Sequence, residues 1–269
     1  MPFFIMEKLV NIKENIKIGS AGSSELLADL YIPPTNKSNG AAILFVHGGG
    51  WREGNKDQLK GYAILLAREG FLCLCSSYRL SQEQIWPAQI QDVNCAIRYL
   101  RANSEELNID SNRIGISGNS AGGHLALMSA LNDIDKSFEG EGGDNDVDSS
   151  VKAICAIYPP TQIRMYENTD PITDAYKALM GPEASQEEYN KASPLLQLDT
   201  DFPPTLLIHG SSDSVVKLSD STDLYEKLLH LKVPTELHIF SEEEHAFDSQ
   251  SGYGRSVAEL QNLFFSKYL

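Results

Sequence analysis

The sequence predicts an α/β fold, with a mostly parallel central sheet carrying helices on both faces and a small cap insertion. Three observations lead there. Short, continuous apolar runs recur along the chain, among them AAILFV (Ala41–Val46), RIGIS (Arg113–Ser117) and TLLIH (Thr205–His209). Each is followed by a longer stretch with helical periodicity. Strands that alternate with helices and are apolar on both sides belong to parallel sheets joined by right-handed crossovers. At 269 residues the chain can bury on the order of three quarters of its unfolded surface, which suits one domain over 1–269.

In chain order, an antiparallel pair near Asn15–Ile18 and Leu26–Ile32 precedes the alternations. Strands are expected at 41–47, 71–77, 113–117, 151–158, 205–209 and 235–240. Helices are expected near 54–70, 88–105, 120–131, 219–231 and 253–267. Two stretches break the pattern. Asp133–Ser150 is acidic and glycine-rich and reads as a mobile surface loop whose spacing matches no EF-hand. Pro159–Phe202 holds short helical pieces and leaves a strand end, so it is expected to fold over the site-bearing sheet edge as a cap about 159–202. There is no internal repeat.

The 37 acidic against 22 basic residues give a net charge of −15, which argues against nucleic acid and anionic membranes as partners. Polyanionic substrates are disfavoured for the same reason. Cys73, Cys75, Cys95 and Cys155 sit in apolar strands or a helix, and none has metal-site spacing. They read as buried thiols in a reducing compartment, with no metal and no cofactor implied. The N-terminus lacks the basic segment and long apolar core of a signal peptide, and no segment approaches the ~18–20 apolar residues of a membrane span. A cytoplasmic protein is the expectation.

Chemistry concentrates at four strand ends. Gly118-Asn119-Ser120-Ala121-Gly122 lies where RIGIS turns into the helical SAGGHLALMSAL. A serine on that sharp turn stands above the sheet edge with its hydroxyl exposed, and the flanking glycines let strand and helix approach closely. His47-Gly48-Gly49-Gly50-Trp51 follows AAILFV, and glycines there can turn backbone N–H groups toward one point. Gly49, Gly50 and Ala121 are the assigned donors of an oxyanion hole. Asp213 follows TLLIH and His245 follows TELHIF (Thr235–Phe240), both in loops on the same edge as Ser120. Ser120, Asp213 and His245 thus form the candidate catalytic set, in the chain order of α/β-hydrolases.

The remaining histidines take other roles. His47 reads as a hydrogen-bonding member of its turn and His124 as a packing residue. His209, His230 and His238 are placed where they do not reach Ser120. Glu242, Glu243 and Glu244 read as a solvated loop, and Asp220 and Asp223 as helix residues facing solvent. Arg79 leaves a buried strand and needs a carboxylate, for which Asp92 is the candidate. Trp51, Tyr158, Met165, Tyr166 and Tyr176 are candidate walls of a substrate pocket.

With these motifs the chain resembles the α/β-hydrolase carboxylesterases related to hormone-sensitive lipase. It is most similar to the bifunctional acetylxylan esterase/feruloyl esterase branch. The resemblance runs from about Leu27 to the C-terminus. It rests on HGGGW (His47–Trp51), SSYRLSQEQIWPAQIQDV (Ser76–Val93), GNSAGGHLAL (Gly118–Leu127), ASPL (Ala192–Leu195), PPTLLIHGSSDSVV (Pro203–Val216) and EHAF (Glu244–Phe247). Asn119 departs from many relatives, as does the lack of a long N-terminal helical cap. The resemblance implies a serine carboxylesterase acting through an acyl-enzyme on a small-molecule ester, with acetyl-like or small aryl acyl groups, including sugar or xylan acetyl esters. Two alternatives remain open. An arylformamidase acting on N-formylkynurenine would use the same triad, and a non-catalytic ligand-binding protein would reuse the scaffold. Oligomeric state is not readable from the sequence.

Overall fold

The computed structural model describes residues 9–131, 135–165 and 171–269. Their eight strands form one sheet: β1 (Asn11–Ala21), β2 (Ser24–Ile32), β3 (Ala42–Val46), β4 (Leu72–Ser76), β5 (Ile114–Asn119), β6 (Ala153–Ile157), β7 (Thr205–Gly210) and β8 (Thr235–Phe240). Their spatial order is β1-β2-β4-β3-β5-β6-β7-β8. The β1–β2 and β2–β4 pairs are antiparallel, and all pairs from β4 through β3 to β8 are parallel.

Alternation along each strand sorts the apolar residues into two cores. Ala42, Leu44 and Val46 of β3, with Leu72 and Leu74 of β4, face one layer. That layer contains α2 (Ala88–Ala102), α3 (Ala121–Met128) and α6 (Leu218–His230). Ile43 and Phe45, with Cys73 and Cys75, face the other, which contains α1 (Lys60–Glu69) and α7 (Ser251–Tyr268). Both faces of the central strands are therefore dry, which is why their sequences lack a polar period. All four cysteines are buried free thiols. Among the described residues no helix is long and apolar enough to cross a membrane.

The N-terminal pair is longer than its apolar residues suggest. β1 is a polar edge strand with Lys13, Glu14 and Lys17 outward, and register shifts break its pairing with β2 twice. Charged, bulged edges resist pairing with a second chain, and their polarity hides them from a hydrophobic reading.

The acidic segment after α3 also differs from expectation in its described part, residues 135–150. Arg98 of α2 donates to the backbone oxygens of Glu139 and Gly142 and pairs with the Glu139 carboxylate. Arg101 holds the carbonyls of Asp148 and Ser150. Phe138 is buried against Trp86, ring centroids 5.3 Å apart. Buried arginine stems and one aromatic anchor fasten a segment that composition alone marks as mobile.

Residues between β6 and β7 include α4 (Pro171–Met180) and α5 (Gln186–Lys191). Ser185 and Glu188 close a reciprocal capping box at the start of α5. Asp220 does not simply face solvent. Its carboxylate accepts from the Thr161 N–H at 2.8 Å and so ties the start of this segment to α6.

Candidate active site

Register brings the strand ends together. Val46 at the end of β3 lies opposite Gly118 in β5, and Asn119 lies opposite Ile157 in β6. Ser120 follows directly, with φ 51 and ψ −120. A non-glycine residue there costs about 1–3 kcal/mol, and its neighbours hold it in place. The Ser120 N–H donates to the Ile157 carbonyl at 2.8 Å, and its carbonyl accepts from His124 N at 3.0 Å. A Cβ on Gly122 would lie 2.0 Å from the Val46 carbonyl oxygen, so no side chain fits where α3 crosses β3. Ala121, first residue of α3, keeps a backbone N–H without an intrahelical acceptor.

The glycine turn faces this elbow. Gly49 has φ +107, and a Cβ there would lie 2.2 Å from the Glu53 carbonyl oxygen. Its own carbonyl accepts from Arg52 and Glu53. The N–H groups of Gly49 and Gly50 take part in no loop or turn backbone hydrogen bond among the described residues. Gly48 N donates to Gln58 Oε1 at 2.7 Å, which anchors the turn on the short helix Lys56–Leu59. His47 stacks on Tyr78 with centroids 4.1 Å apart, and burial lowers its pKa to about 4. It is a neutral packing element of the turn.

The Nε2 of His245 is 3.0 Å from Ser120 Oγ, and its Nδ1 is 2.7 Å from Asp213 Oδ2. Asp213 Oδ1 accepts from the N–H groups of Val215 and Val216 at 2.9 and 2.8 Å. Burial by itself would raise the Asp213 pKa. Hydrogen bonds from His209 and His245, the charge of His245 and the Val216 N–H outweigh it and hold the carboxyl well below the usual range. The loops carrying Asp213 and His245 are stitched to each other. Ser212 N donates to the Glu243 carbonyl, Glu242 N to Ser211 Oγ, and Ser214 to the Glu244 carboxylate. Glu244 is exposed, as expected of a solvated residue, and also clasps the two loops.

A cavity of about 240 Å³ opens over Ser120. Gly48, Gly49, Gly50, Arg52, Glu53, Tyr158, Ile172, Ala175, Val215 and His245 are among its walls. A second cavity of about 390 Å³ shares Gln58, Asn119, Tyr158 and Ala246 with it and extends past Leu59, Tyr62, Leu65 and Arg255. Tyr158 stands between them, its ring 4.6 Å from His245 between centroids. Its hydroxyl donates to Asp248, as does that of Tyr62, and accepts from Asn119. Burial, then the charge of Asp248, pushes the Tyr158 hydroxyl well above the ordinary phenol range.

Of the five residues expected to wall a pocket, Tyr158 lines the Ser120 cavity and three described ones do not. Trp51 is fully buried and packs edge-on against His124 at 5.1 Å. Tyr176 is buried against Trp51, and Met165 is about half exposed, outside the cavity lining. Tyr166 lies outside the described residues. Ile172, Ala175 and Val215 take the places that aromatics were expected to fill. Asp92 does meet Arg79, receiving its Nε at 2.9 Å and its Nη2 at 2.8 Å. Gln58, Asp248 and His209 carry contacts at the site that sequence reasoning missed. For His209 a signal existed, since it stands four residues before the candidate acid.

Comparison with known proteins places this geometry. A family model described as BD-FAE matches residues 28–228. Esterase LipC of Mycobacterium tuberculosis is 32% identical over 69% of this chain and 47% of its own length. The probable carboxylic ester hydrolase LipM of the same organism is 30% identical over 87% of the chain and 56% of its length. The chain therefore spans about half the length of these curated relatives. Among solved structures, a truncated carbohydrate esterase from gut microbiota superposes with TM-score 0.82 at 27% identity, covering 97% of both chains.

Proposed function

This chain belongs to the BD-FAE family, and we propose that it is a serine carboxylesterase whose triad is Ser120, His245 and Asp213. One observation carries the reading. The His245 imidazole bridges Ser120 Oγ and the Asp213 carboxylate at 3.0 and 2.7 Å, beside a backbone turn with unused N–H donors. His245 Nε2 takes the Ser120 proton as Oγ attacks the ester carbonyl carbon. Asp213 keeps the imidazole oriented and stabilises its charged form. The oxyanion rests on the N–H groups of Gly49, Gly50 and Ala121, each worth roughly 3 kcal/mol in comparable sites. His245 then protonates the departing alkoxide, and water hydrolyses the acyl-enzyme by the same route.

The acyl group is small. Ile172 and Ala175 are among the walls of the cavity of about 240 Å³ over Ser120, and a space of that size favours acetyl to butyryl chains over long ones. Names of relatives support an ester as substrate, and the carbohydrate esterase neighbour supports acetylated sugars as the class to try first. The test is hydrolysis of p-nitrophenyl esters from acetate to laurate, with Ser120→Ala as control. Activity peaks at acetate or butyrate, and Ser120→Ala lowers kcat by roughly 10⁶ with the fold intact. A variant that keeps more than a few per cent of activity rules out Ser120 as nucleophile.

A further inference from the structure

We propose that His209 is a positioning residue of the triad. It acts as a neutral imidazole whose Nε2–H, bonded to the Val216 carbonyl, also lies against Asp213 Oδ2 and limits how strongly that carboxylate draws a proton onto His245. The inference rests on the serine-hydrolase reading and deepens it. His209 is fully buried in β7, and its Nε2 lies 3.0 Å from the Val216 carbonyl and 3.3 Å from Asp213 Oδ2. Both are acceptors, so Nε2 carries the hydrogen. Its Nδ1 lies 2.8 Å from Ser221 Oγ, a hydroxyl able to donate to it. Both ring nitrogens are satisfied by one neutral tautomer, without placing a charge in a site closed to water.

Asp213 thereby receives two backbone N–H groups on Oδ1 and the His245 imidazole on Oδ2, with the His209 Nε2–H 3.3 Å from that same oxygen. The His209 donor withdraws part of the charge that Oδ2 presents to His245. A carboxylate relieved of that donor stabilises the neighbouring imidazolium more strongly and raises its pKa. His209 thus tempers the pull of Asp213 on the proton that His245 carries. The Tyr158 ring, just after β6, packs on His245; Arg52 and Glu53 of the glycine turn line the same cavity, and Glu244 precedes His245 in its own loop. From α4 the facing residues are Ile172 and Ala175, both apolar. None of these is altered by the substitutions that test the idea.

The experiment compares wild type, His209→Leu, His209→Gln and Ser221→Ala. Two rates are followed from about pH 5 to about pH 9: kcat/KM on p-nitrophenyl acetate, and Ser120 labelling by a serine-directed phosphonate read by mass. In His209→Leu the acid limb moves to higher pH by roughly one unit and kcat falls about tenfold with KM little changed. Gln places an amide N–H near the lost one and restores most of both. Ser221→Ala frees the tautomer and shifts the limb the same way by less. An acid limb in folded His209→Leu that coincides with wild type overturns the proposal, as does a Gln variant no better than Leu. Should the Leu variant not fold, a limb unmoved in Ser221→Ala overturns it instead. Failure of wild type to take up the phosphonate at Ser120 is a separate result, visible before any variant is compared. It sinks the serine-hydrolase reading and this inference with it.

Discussion

The two sides of the Ser120 cavity are built differently. On the sheet side, backbone lies directly on backbone. The Val46 carbonyl sits where a Gly122 Cβ would be, and the Glu53 carbonyl sits where a Gly49 Cβ would be. On the α4 side the same cavity is lined by Ile172 and Ala175, carried on a helix that contributes nothing to the triad. At Gly122 and Gly49 the first side admits no larger residue, because the atoms a Cβ would meet are backbone carbonyls that cannot turn away. In the proposed reading the second sets only how much room the acyl group has. Chemistry and selectivity are therefore separable here, one held by backbone and the other by side-chain volume.

The sharpest way to break this contrast is to add one methyl on the sheet side. Gly122→Ala pushes Cβ into the Val46 and His47 carbonyls, both backbone atoms that cannot rotate away. Overpacking against rigid backbone costs about 3 kcal/mol or more, and in a chain of this size Tm falls about 2–4 °C per kcal/mol. A Tm lower by roughly 10 °C is expected, with kcat down at least about 100-fold because the Ala121 donor and Ser120 shift together. Thermal melts and ester hydrolysis on the same preparation check it. A variant as stable and active as wild type would show that the close approach is not needed.

This division also explains what was legible in the sequence. Glycine spacing and apolar runs report backbone requirements, and HGGGW, GNSAGG and the strand-end Asp213 and His245 pointed to groups that the fold brings within hydrogen-bonding reach. The central strands were legible for a related reason, since burial on both faces leaves unbroken apolar runs such as AICAI in β6. Pocket walls were not legible. Which of Trp51, Met165, Tyr176 or Ile172 lines the cavity depends on how the glycine turn and the segment between β6 and β7 pack, and residue type carries no record of that packing. His209 does not reach Ser120, as its strand position implies, and its contact lies at the acid end of the triad, 3.3 Å from Asp213.

On the α4 side a deletion sharpens the contrast. Ile172→Ala removes three carbons from the cavity wall without touching the triad or the glycine turn. Added room for about one or two methylenes shifts the ratio of kcat/KM on longer over shorter p-nitrophenyl esters by about tenfold. The pH profile and Tm stay near those of wild type. A chain-length profile identical to wild type would mean that α4 does not bound the acyl group, and the acyl end would then be assigned to the adjoining cavity beside Tyr62 and Leu65.

The smallest effect is expected at Trp51, and it discriminates best between the sequence reading and the structure. An aromatic directly after three glycines invites the reading that it walls the pocket. In the fold its φ of +58 turns it down into the core beneath the turn, where it meets His124 and Tyr176 and its carbonyl accepts from Ser81 N. Its indole Nε1 has no acceptor among the described residues. Trp51→Phe removes that buried donor, worth about 1–3 kcal/mol if unsatisfied, and leaves a small void that costs a comparable amount. The two offset to within about 1 kcal/mol, and KM for acetyl esters stays within about twofold because no substrate contact is lost. A pocket wall would behave otherwise, since halving an indole beside the acyl group moves selectivity by about tenfold. A KM unchanged while the Tyr176 and His124 packing relaxes would place Trp51 with the backbone side of the cavity, as the support on which the glycine turn rests.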